Sequence, residues 1–543
     1  MERLKLLLLY GVCGGLCGLL SACGTNQGHG DPPPDLATSN PDAGTPGDLL
    51  PAVFNDFPAA PVIDPTGTTP APASAPSLFG AAGSGAQSGG PCLVDPEPGT
   101  LLPQNWLRPR FHFIAPAGEN LFEIRLHAAN QMSDLVVYTS QTTWTMDPTT
   151  WGGLAEHTVD QPITVTVRGA VFDGTQLTSG PALGGSGTFT IAPVQAEGAI
   201  VYWTTTGGSA LRGFSIGDET VHDVLTPSQA GTACVGCHAS TPDGLDVAFS
   251  ASADPGNGDP ASIEMRSVDG QLTTPSFLSA AAKTLLARTY QELPVFSKAH
   301  FQTGDRVALT MMPVNNVSEI IWTDLEASST TQGMGWGVLS RGGDPGQAAG
   351  ASFSHDGKSV VYSSAAKVVT GITVGDGDLR IVPYGNRMGG TSIAVPGASD
   401  PNYNEFYPIF SPDDAWLAFD RLPAGQDSYN NGSSEVFVIP TAGGTATRLA
   451  ANDPPMCSGK VSPGVTNSWP KWSPNVQTIG ARTFYWITFS STRGDGGNPQ
   501  IYVAPVVIEN GQVKSYPALY LWNQPADQNN HTPAWDNFQI PIG

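Results

Sequence analysis

The sequence predicts an all-β protein, a β-sandwich followed by a six-bladed β-propeller that is closed by a C-terminal strand. Two observations carry this prediction. Short runs of alternating apolar and polar residues, typical of half-buried strands, recur between 92 and 195. From 196 to 543 a unit of several strands repeats along the chain. The 64 Gly and 48 Pro among 543 residues supply many turns and argue against a helical bundle or a coiled coil.

The first 23 residues have the features of an export signal. Arg3 and Lys5 precede an apolar run over 6–20, which is somewhat short for a membrane span and suits a signal peptide. The run ends in the sequence LSAC at 20–23, which resembles the lipobox of bacterial lipoproteins. That resemblance implies that Cys23 is lipidated and becomes the new N-terminus. A signal peptide cut elsewhere, or a retained anchor, is the alternative.

The next stretch predicts a tether. Gly24 follows the lipidated cysteine and, in the lipoprotein pattern, does not signal retention in the inner membrane. We therefore expect a lipid-anchored protein of the bacterial cell envelope, at the outer membrane and on its periplasmic or surface face. Gly, Pro, Ala, Ser, Thr and Asp dominate 24–91, so this stretch is expected to be a disordered tether.

The first folded region is expected over 92–195. Its alternating runs lie at 111–113, 122–126, 135–138, 163–167 and 187–191. Period-two strands of this number over about 100 residues favour a β-sandwich. The pattern is similar to a fibronectin type III or immunoglobulin-like module.

The second folded region is expected over 196–543 and consists of repeats. Four first strands, each followed by a turn and an apolar second strand, begin near 293, 353, 407 and 469, and third strands follow at 379–382, 435–439 and 500–503. Such units are blades of a β-propeller. The sequence FSSTRG at 489–494, which leads to QIYV at 500–503, resembles the repeat of TolB-like propellers, and the resemblance covers about 197–543.

The ends of the repeat predict how the ring closes. The segment 199–203 starts as a second strand without a first strand before it, and 530–535 is a first strand with nothing after it. The C-terminus would then supply the inner strand of the first of six blades, which removes exposed edges. An open all-β array is the alternative.

One motif carries chemistry. The sequence CVGCH at 234–238 is the C-x-x-C-H pattern of c-type haem attachment. In that pattern Cys234 and Cys237 bind one haem covalently and His238 ligates its iron. The turn that follows at once places the motif in the inner strand of the second blade. We aligned His238 with the repeat position of Pro294, Pro408, Pro470 and Pro533.

The remaining cysteines fit an exported protein. Cys13 and Cys17 leave with the signal, and the oxidising compartment would let Cys92 and Cys457 pair across the two folded regions. Two separate buried thiols are the alternative for this pair. For the motif, a Cys234–Cys237 disulfide with a structural His238, or a metal site whose further ligands are not visible, are the alternatives.

The second axial ligand of the iron is left open by the sequence. His531 lies two residues before Pro533 on the inner strand of a neighbouring blade and is the first choice. Met456, in the loop before the sixth blade, and His300, in a turn, are further candidates. An open iron would allow ligand binding or peroxidase-like chemistry.

Composition and motifs exclude other functions. Lys and Arg number 24 against 47 Asp and Glu, a formal charge of −23, so a general nucleic-acid binder is not expected. The nucleophile, zinc-protease and phosphate-loop motifs of hydrolases are missing from the sequence, and we assign no catalytic residue. We expect an electron carrier that meets a redox partner protein at the envelope. A haem-free propeller that binds a protein or glycan, and a haem enzyme with an open iron, are the alternatives.

Overall fold

The structure is a computed structural model that describes residues 52–254 and 260–540, and it is all-β. The helices of these residues are short, and none of them is long and apolar enough to cross a membrane. They are α1 (Ala75–Phe79), α2 (Pro148–His157), α3 (Pro227–Ala230) and α4 (Ala280–Leu286). The predicted signal and the lipidation site at Cys23 lie outside the described residues.

The N-terminal region contains a six-stranded and a three-stranded sheet. Its strands are β1 (Val62–Ile63), β2 (Cys92–Asp95), β3 (Leu101–Leu102), β4 (Arg110–Ile114), β5 (Leu121–Ala128), β6 (Leu135–Thr139), β7 (Thr143–Thr145), β8 (Pro162–Phe172) and β9 (Leu177–Ile191). The larger sheet has the order β1-β6-β5-β8-β9-β3 and the smaller one β2-β4-β7. Apolar side chains of both sheets, among them Phe113 and Phe122, meet in one core, where the two rings are 4.8 Å apart.

The described part of the predicted tether is folded, so that prediction is wrong from residue 52 onward. Strand β1 pairs in parallel with β6, and Phe57 and Phe79 are buried. The buried guanidinium of Arg168 donates hydrogen bonds to the carbonyl oxygens of α1 and the turn after it, and it forms an ion pair with Glu123 at 2.6 Å. A few apolar anchors and one buried cation therefore fix a segment whose overall composition favours disorder.

Six sheets follow one another from residue 199 within the described part of the chain. The first has β10 (Ala199–Thr204), β11 (Ala210–Ser215), β12 (His222–Leu225) and β39 (Asn530–Asp536); the second has β13 (Cys234–Ser240), β14 (Asp246–Ser252) and β15 (Ser262–Ser267). The third has β16 (Glu292–Val295), β17 (Phe301–Gln302), β18 (Asp305–Val314), β19 (Val317–Asp324) and β20 (Trp336–Val338).

The last three of these sheets keep the same order of antiparallel strands. The fourth has β22 (Gln347–Phe353), β23 (Ser359–Ala365), β26 (Asp378–Pro383) and β28 (Ile393–Ala394), with the small ladders β21 (Ser340–Gly342) to β27 (Gly389–Thr391) and β24 (Val368–Val369) to β25 (Ile372–Thr373) beside it. The fifth has β29 (Tyr403–Phe410), β30 (Trp416–Pro423), β31 (Glu435–Pro440) and β32 (Thr447–Arg448). The sixth has β33 (Asn467–Trp472), β34 (Gln477–Ile479), β35 (Arg482–Ser491), β36 (Gln500–Glu509), β37 (Gln512–Ser515) and β38 (Leu519–Tyr520).

The pairing predicted between the two ends of the repeat is observed. Strand β39 is antiparallel to β10, with Trp535 opposite Ile200. The third strands predicted at 379–382, 435–439 and 500–503 are β26, β31 and β36. This arrangement of successive antiparallel sheets of three to six strands, with the first sheet completed by the last strand, is propeller-like.

The N-terminal region and the repeat share one hydrophobic core. Phe57 and Phe113 belong to the same buried cluster as Tyr202, Trp486 and Trp535. The junction also has two ion pairs, Arg108 with Glu219 and Arg482 with Asp160, both at 2.6 Å. Cys92 and Cys457 form a disulfide with a Cα separation of 6.1 Å, the pairing that the sequence predicts. The two regions are therefore one packed unit rather than two independent ones.

We expect loss of the Cys92–Cys457 bond to destabilise this unit. The bond closes a loop of 365 residues, so the single variants Cys92→Ser and Cys457→Ser should each lose about 2–5 kcal/mol of unfolding free energy. The double variant should lose no more than either single variant, because all three remove the same link. Urea unfolding of the four proteins measures this. If the double variant lost the sum of the two single losses of unfolding free energy, the two cysteines would not be acting through one shared bond.

Candidate functional site

The first strands of all six described sheets carry the same irregularity. In each, two residues stand opposite one residue of the neighbouring strand, which defines a β-bulge. The bulged pairs are Gly236–Cys237, Leu293–Pro294, Gly350–Ala351, Tyr407–Pro408, Trp469–Pro470 and Thr532–Pro533. Strand β13, which holds the C-x-x-C-H motif, is thus a regular member of the repeat.

The bulge corrects the alignment of His238. Cys237, and not His238, occupies the position that proline holds in four of the other first strands. His238 lies one residue further on, where Ile409, Lys471 and Ala534 stand. The sequence alignment was off by one because it could not show which residue of the bulge is the extra one.

The motif is buried. Cys234, Cys237 and His238 are at most 5% exposed, and every residue of β13 is buried. Cys237 packs in the central core cluster that also contains Leu293, Tyr407 and Trp469. Both cysteines are disulfide-bonded in the structure.

The imidazole of His238 is neutral and has one unused nitrogen. Its Nε2 lies 3.1 Å from the carbonyl oxygen of Val201, so Nε2 carries the hydrogen and donates it. The lone pair is then on Nδ1, which is buried and has no hydrogen-bond partner among the described residues. Burial, and the nearby charge of Lys471, lower the pKa of His238 to about 4, although the bond to Val201 opposes this shift.

His531 lies near enough to His238 for the charge of one imidazole to affect the pKa of the other. The ring of His531 lies between those of Trp203 and Trp469, at centroid distances of 4.8 and 5.7 Å. Its Nε2 is 3.4 Å from the hydroxyl of Thr205, and its buried Nδ1 has no partner in the described part of the chain. Burial, and then the charge of His238, lower its pKa to about 4. The two imidazoles are therefore neutral neighbours at neutral pH.

The other candidates for the second axial ligand are placed differently. Met456 is 97% exposed and lies beside the Cys92–Cys457 disulfide. His300 uses both ring nitrogens, one with Asp305 at 2.8 Å and one with the carbonyl oxygen of Gly357 at 3.1 Å. Of the three candidates, His531 is the one with a buried nitrogen that is not engaged.

A buried lysine near His238, and a buried aspartate beside it, were missed by the sequence analysis. Lys471 is 1% exposed, and its Nζ has no hydrogen-bond partner among the described residues. Asp420 is fully buried and accepts hydrogen bonds from the hydroxyl of Ser468 at 2.6 Å and the backbone N–H of Trp469 at 2.9 Å. Burial lowers the pKa of Lys471, while the charge of Asp420 opposes that shift.

A signal for both residues exists in the repeat. Lys471 and His238 occupy the same position after the bulge, where Val295, Ile409 and Ala534 are apolar. Asp420 stands where Ser363 and Ser490 stand in other sheets. Charged or titratable residues at buried repeat positions could therefore have been found once the bulges were aligned.

The residues fit haem c in kind. The group needs two cysteine thiols for its covalent links and a neutral imidazole for its iron. His238 and His531 are neutral, and each has a buried nitrogen without a partner. Cys234 and Cys237 are each disulfide-bonded in the structure and can form thioethers only once reduced, because a thioether forms from a thiol. No group of three or more His, Cys, Asp or Glu suited to a metal ion is found in 52–254 and 260–540.

Comparison with known proteins gives no family. No family model and no curated protein matches the chain. Among solved structures, prolyl endopeptidase is 13% identical with a TM-score of 0.31, covering 60% of this chain and 48% of that one. Kuenenia stuttgartiensis hydrazine synthase is 14% identical with a TM-score of 0.25, covering 62% and 46%. The match thus spans about half the length of these two proteins.

A third solved structure matches over a larger share of both chains. It is a quinoprotein alcohol dehydrogenase-like protein from Bacteroides thetaiotaomicron, 10% identical with a TM-score of 0.28, covering 82% of this chain and 99% of that one. Similarity at this level carries no argument about fold or activity.

The neutral histidines predict a specific loss of stability in acid. Their folded pKa, about 4, lies below the unfolded value of about 6.5, so the unfolded state binds more protons between these values and stability falls as the pH falls. Between pH 7 and 5, His531 should account for roughly 2 kcal/mol of that loss. Urea unfolding of haem-free protein at both pH values should show a shallower dependence in His531→Phe than in the wild type.

The matched control for this measurement is Met132→Leu. Met132 is 70% exposed and its side chain does not titrate, so its replacement should leave the pH dependence as in the wild type. An unchanged dependence in His531→Phe would show that His531 is not buried in its neutral form.

Proposed function

We propose that the protein is an exported lipoprotein of the cell envelope whose C-x-x-C-H strand carries one covalent haem c and serves electron transfer. The observation that supports this most is the position of His531. The fold brings a second neutral imidazole close to His238, and each has an unengaged, buried Nδ1. A bulged strand of a haem-free repeat needs no such pair, since the equivalent positions elsewhere are mainly apolar.

We further propose that the six sheets are blades of a closed, TolB-like propeller. The common bulge in the first strands supports one repeated unit, and the pairing of β39 with β10 supports closure. The N-terminal sheets are then a fibronectin type III or immunoglobulin-like sandwich that packs on the first and sixth blades.

The roles of the site residues follow from this proposal. The reduced thiols of Cys234 and Cys237 would hold the haem, and His238 and His531 would be its axial ligands. When bound, the haem accepts and donates single electrons. The surrounding side chains, Tyr407 and Trp469 among them, are buried and keep water from the imidazoles. Because one haem cannot conduct far alone, a redox partner protein is part of the proposal.

A haem-free binding propeller is the second candidate function. It is favoured by the disulfide-bonded state of Cys234 and of Cys237, because a cysteine in a disulfide cannot hold haem. In this case the two cysteines have a structural role, and the protein recognises a protein or glycan through its surface.

A spectrum and a mass distinguish the two functions. The mature protein, exported from a host with c-type haem maturation, should show a reduced c-type α-band and a mass gain of one haem. Both should be lost in Cys237→Ala and kept in Cys457→Ala, the control outside the motif. The oxidised spectrum should be six-coordinate, and His531→Phe should convert it to an open iron. A colourless protein of plain polypeptide mass, beside a control cytochrome that matures, supports the binding propeller.

The lipid anchor is tested separately. Cys23→Ser should remove the lipid mass, because the residue that carries the lipid is gone. The variant should then move from the detergent phase to the aqueous phase in a phase-partition assay. Cys13→Ser, a cysteine inside the same signal, is the matched control and should partition as the wild type does. Equal detergent partitioning of Cys23→Ser and the wild type would mean that another segment anchors the chain.

A further inference from the structure

A small cavity lies between the third and fourth sheets, away from the C-x-x-C-H strand. Its volume is about 110 Å³. Glu292 of β16 and Gln347 of β22 line it from the first strands, and the hairpin between β18 and β19 contributes Met311, Met312 and Ser318. Val368, in the small ladder of β24, completes an apolar wall.

Glu292 is an unusual residue for this place. It is only 9% exposed, and its carboxylate accepts no hydrogen bond from the described residues. Burial is the one cause that raises its pKa, to about 8, because no cation compensates its charge. Among the described lining residues Glu292 is the one charged side chain, and Tyr290, 60% exposed at the rim, is the one other titratable group.

The repeat does not require a carboxylate here. The residue just before the bulge is Val235, Ala349 or Phe406 in three other first strands. An unpartnered buried carboxylate costs stability, and an apolar residue would avoid that cost. Glu292 therefore stands at a core position of the repeat, where its carboxylate lines a cavity and has no ion-pair or hydrogen-bond partner among the described residues.

We propose that this cavity binds a small organic cation, an ammonium group on a short alkyl chain, with Glu292 as its counter-ion. The ammonium group offers hydrogen-bond donors to the carboxylate, and the hydroxyl of Ser318 and the amide of Gln347 lie in the same lining. Met311, Met312 and Val368 provide apolar surface for the alkyl chain. The net charge of −23 attracts cations to the molecule in general.

The size of the cavity limits the ligand. Since a water molecule takes about 30 Å³, the cavity has room for about four waters or an organic cation of about four to six heavy atoms. A divalent metal ion fits less well, because a hard cation takes about six oxygen ligands and this lining offers one carboxylate. Propylammonium is a probe of the matching size and chemistry.

Isothermal titration calorimetry of the whole mature protein tests the proposal. Propylammonium chloride is titrated at pH 8.5 into protein in a buffer with excess sodium chloride. A site that takes any simple cation is then already occupied by sodium. We expect saturable binding by the wild type and none with 1-propanol, which has the same size without the charge. Glu292→Gln should weaken binding by roughly ten- to a hundredfold, as expected for loss of a charged hydrogen bond.

Two further variants make the result decisive. Glu156→Gln, whose side chain is 79% exposed on α2, should bind like the wild type. Met312→Trp keeps Glu292 but fills the cavity, so it should also lose binding, and it covers the case in which Glu292→Gln does not fold. Absence of saturable binding to the wild type, equal affinity in Glu292→Gln and wild type, or equal binding of 1-propanol would each overturn the proposal. These outcomes are independent of haem attachment, which is read from the spectrum.

Discussion

The repeated β-bulge in the first strands is the constraint on which the centre of the molecule depends. In five of these strands the first bulge residue has a positive φ, between 45° and 61°, at Leu293, Gly350, Tyr407, Trp469 and Thr532. For non-glycine residues this conformation costs on the order of 1 kcal/mol or more each, so the surrounding structure must favour it. The gain is contact between neighbouring sheets: Tyr407 stacks on Trp469 at 5.8 Å, and Trp469 lies 5.7 Å from the ring of His531.

The same constraint explains why proline is frequent one residue later. The second bulge residue is Pro294, Pro408, Pro470 or Pro533 in four strands, and a proline in a bulge leaves no ladder hydrogen bond unmade. In β13 this place is taken by Cys237. Cys237 is buried at a position that is proline in four other strands, and its side chain can form a covalent link, which makes the second sheet chemically distinct from its neighbours.

Most of the fold could be predicted because it depends on local pattern. The first and second strands of the repeat, the third strands at 379–382, 435–439 and 500–503, and the partner of the 530–535 segment all follow from alternation and repetition. The position of His238 within its strand was missed by one residue, because the register of a bulge depends on the neighbouring strand. The sequence analysis did not predict that 52–91 is folded, because its structure depends on a few long-range contacts, such as that of Arg168 with α1.

The candidate site was predicted less completely, for a related reason. The motif at 234–238 can be read directly from the sequence, and the repeat indicates that His531 belongs to an inner strand, as it does in β39. Lys471 and Asp420 belong to no motif and become notable only because they are buried. The shared core of the N-terminal region and the repeat was likewise invisible, since Phe57 and Trp486 are 429 positions apart and meet only in the folded chain.

The distribution of unsatisfied polar atoms argues that the centre of the repeat is shaped for more than stability. Nδ1 of His238, Nδ1 of His531, Nζ of Lys471, Oδ1 of Asp420 and the hydroxyl of Tyr407 are all buried without a partner in the described residues. Each such atom costs about 1–3 kcal/mol relative to a satisfied one. Apolar residues at the positions of His238 and Lys471, such as the Val295, Ile409 and Ala534 of other sheets, would give a more stable ring. Polar groups concentrated where they reduce stability are typical of functional sites, whose residues are suited to a bound group rather than to the fold alone.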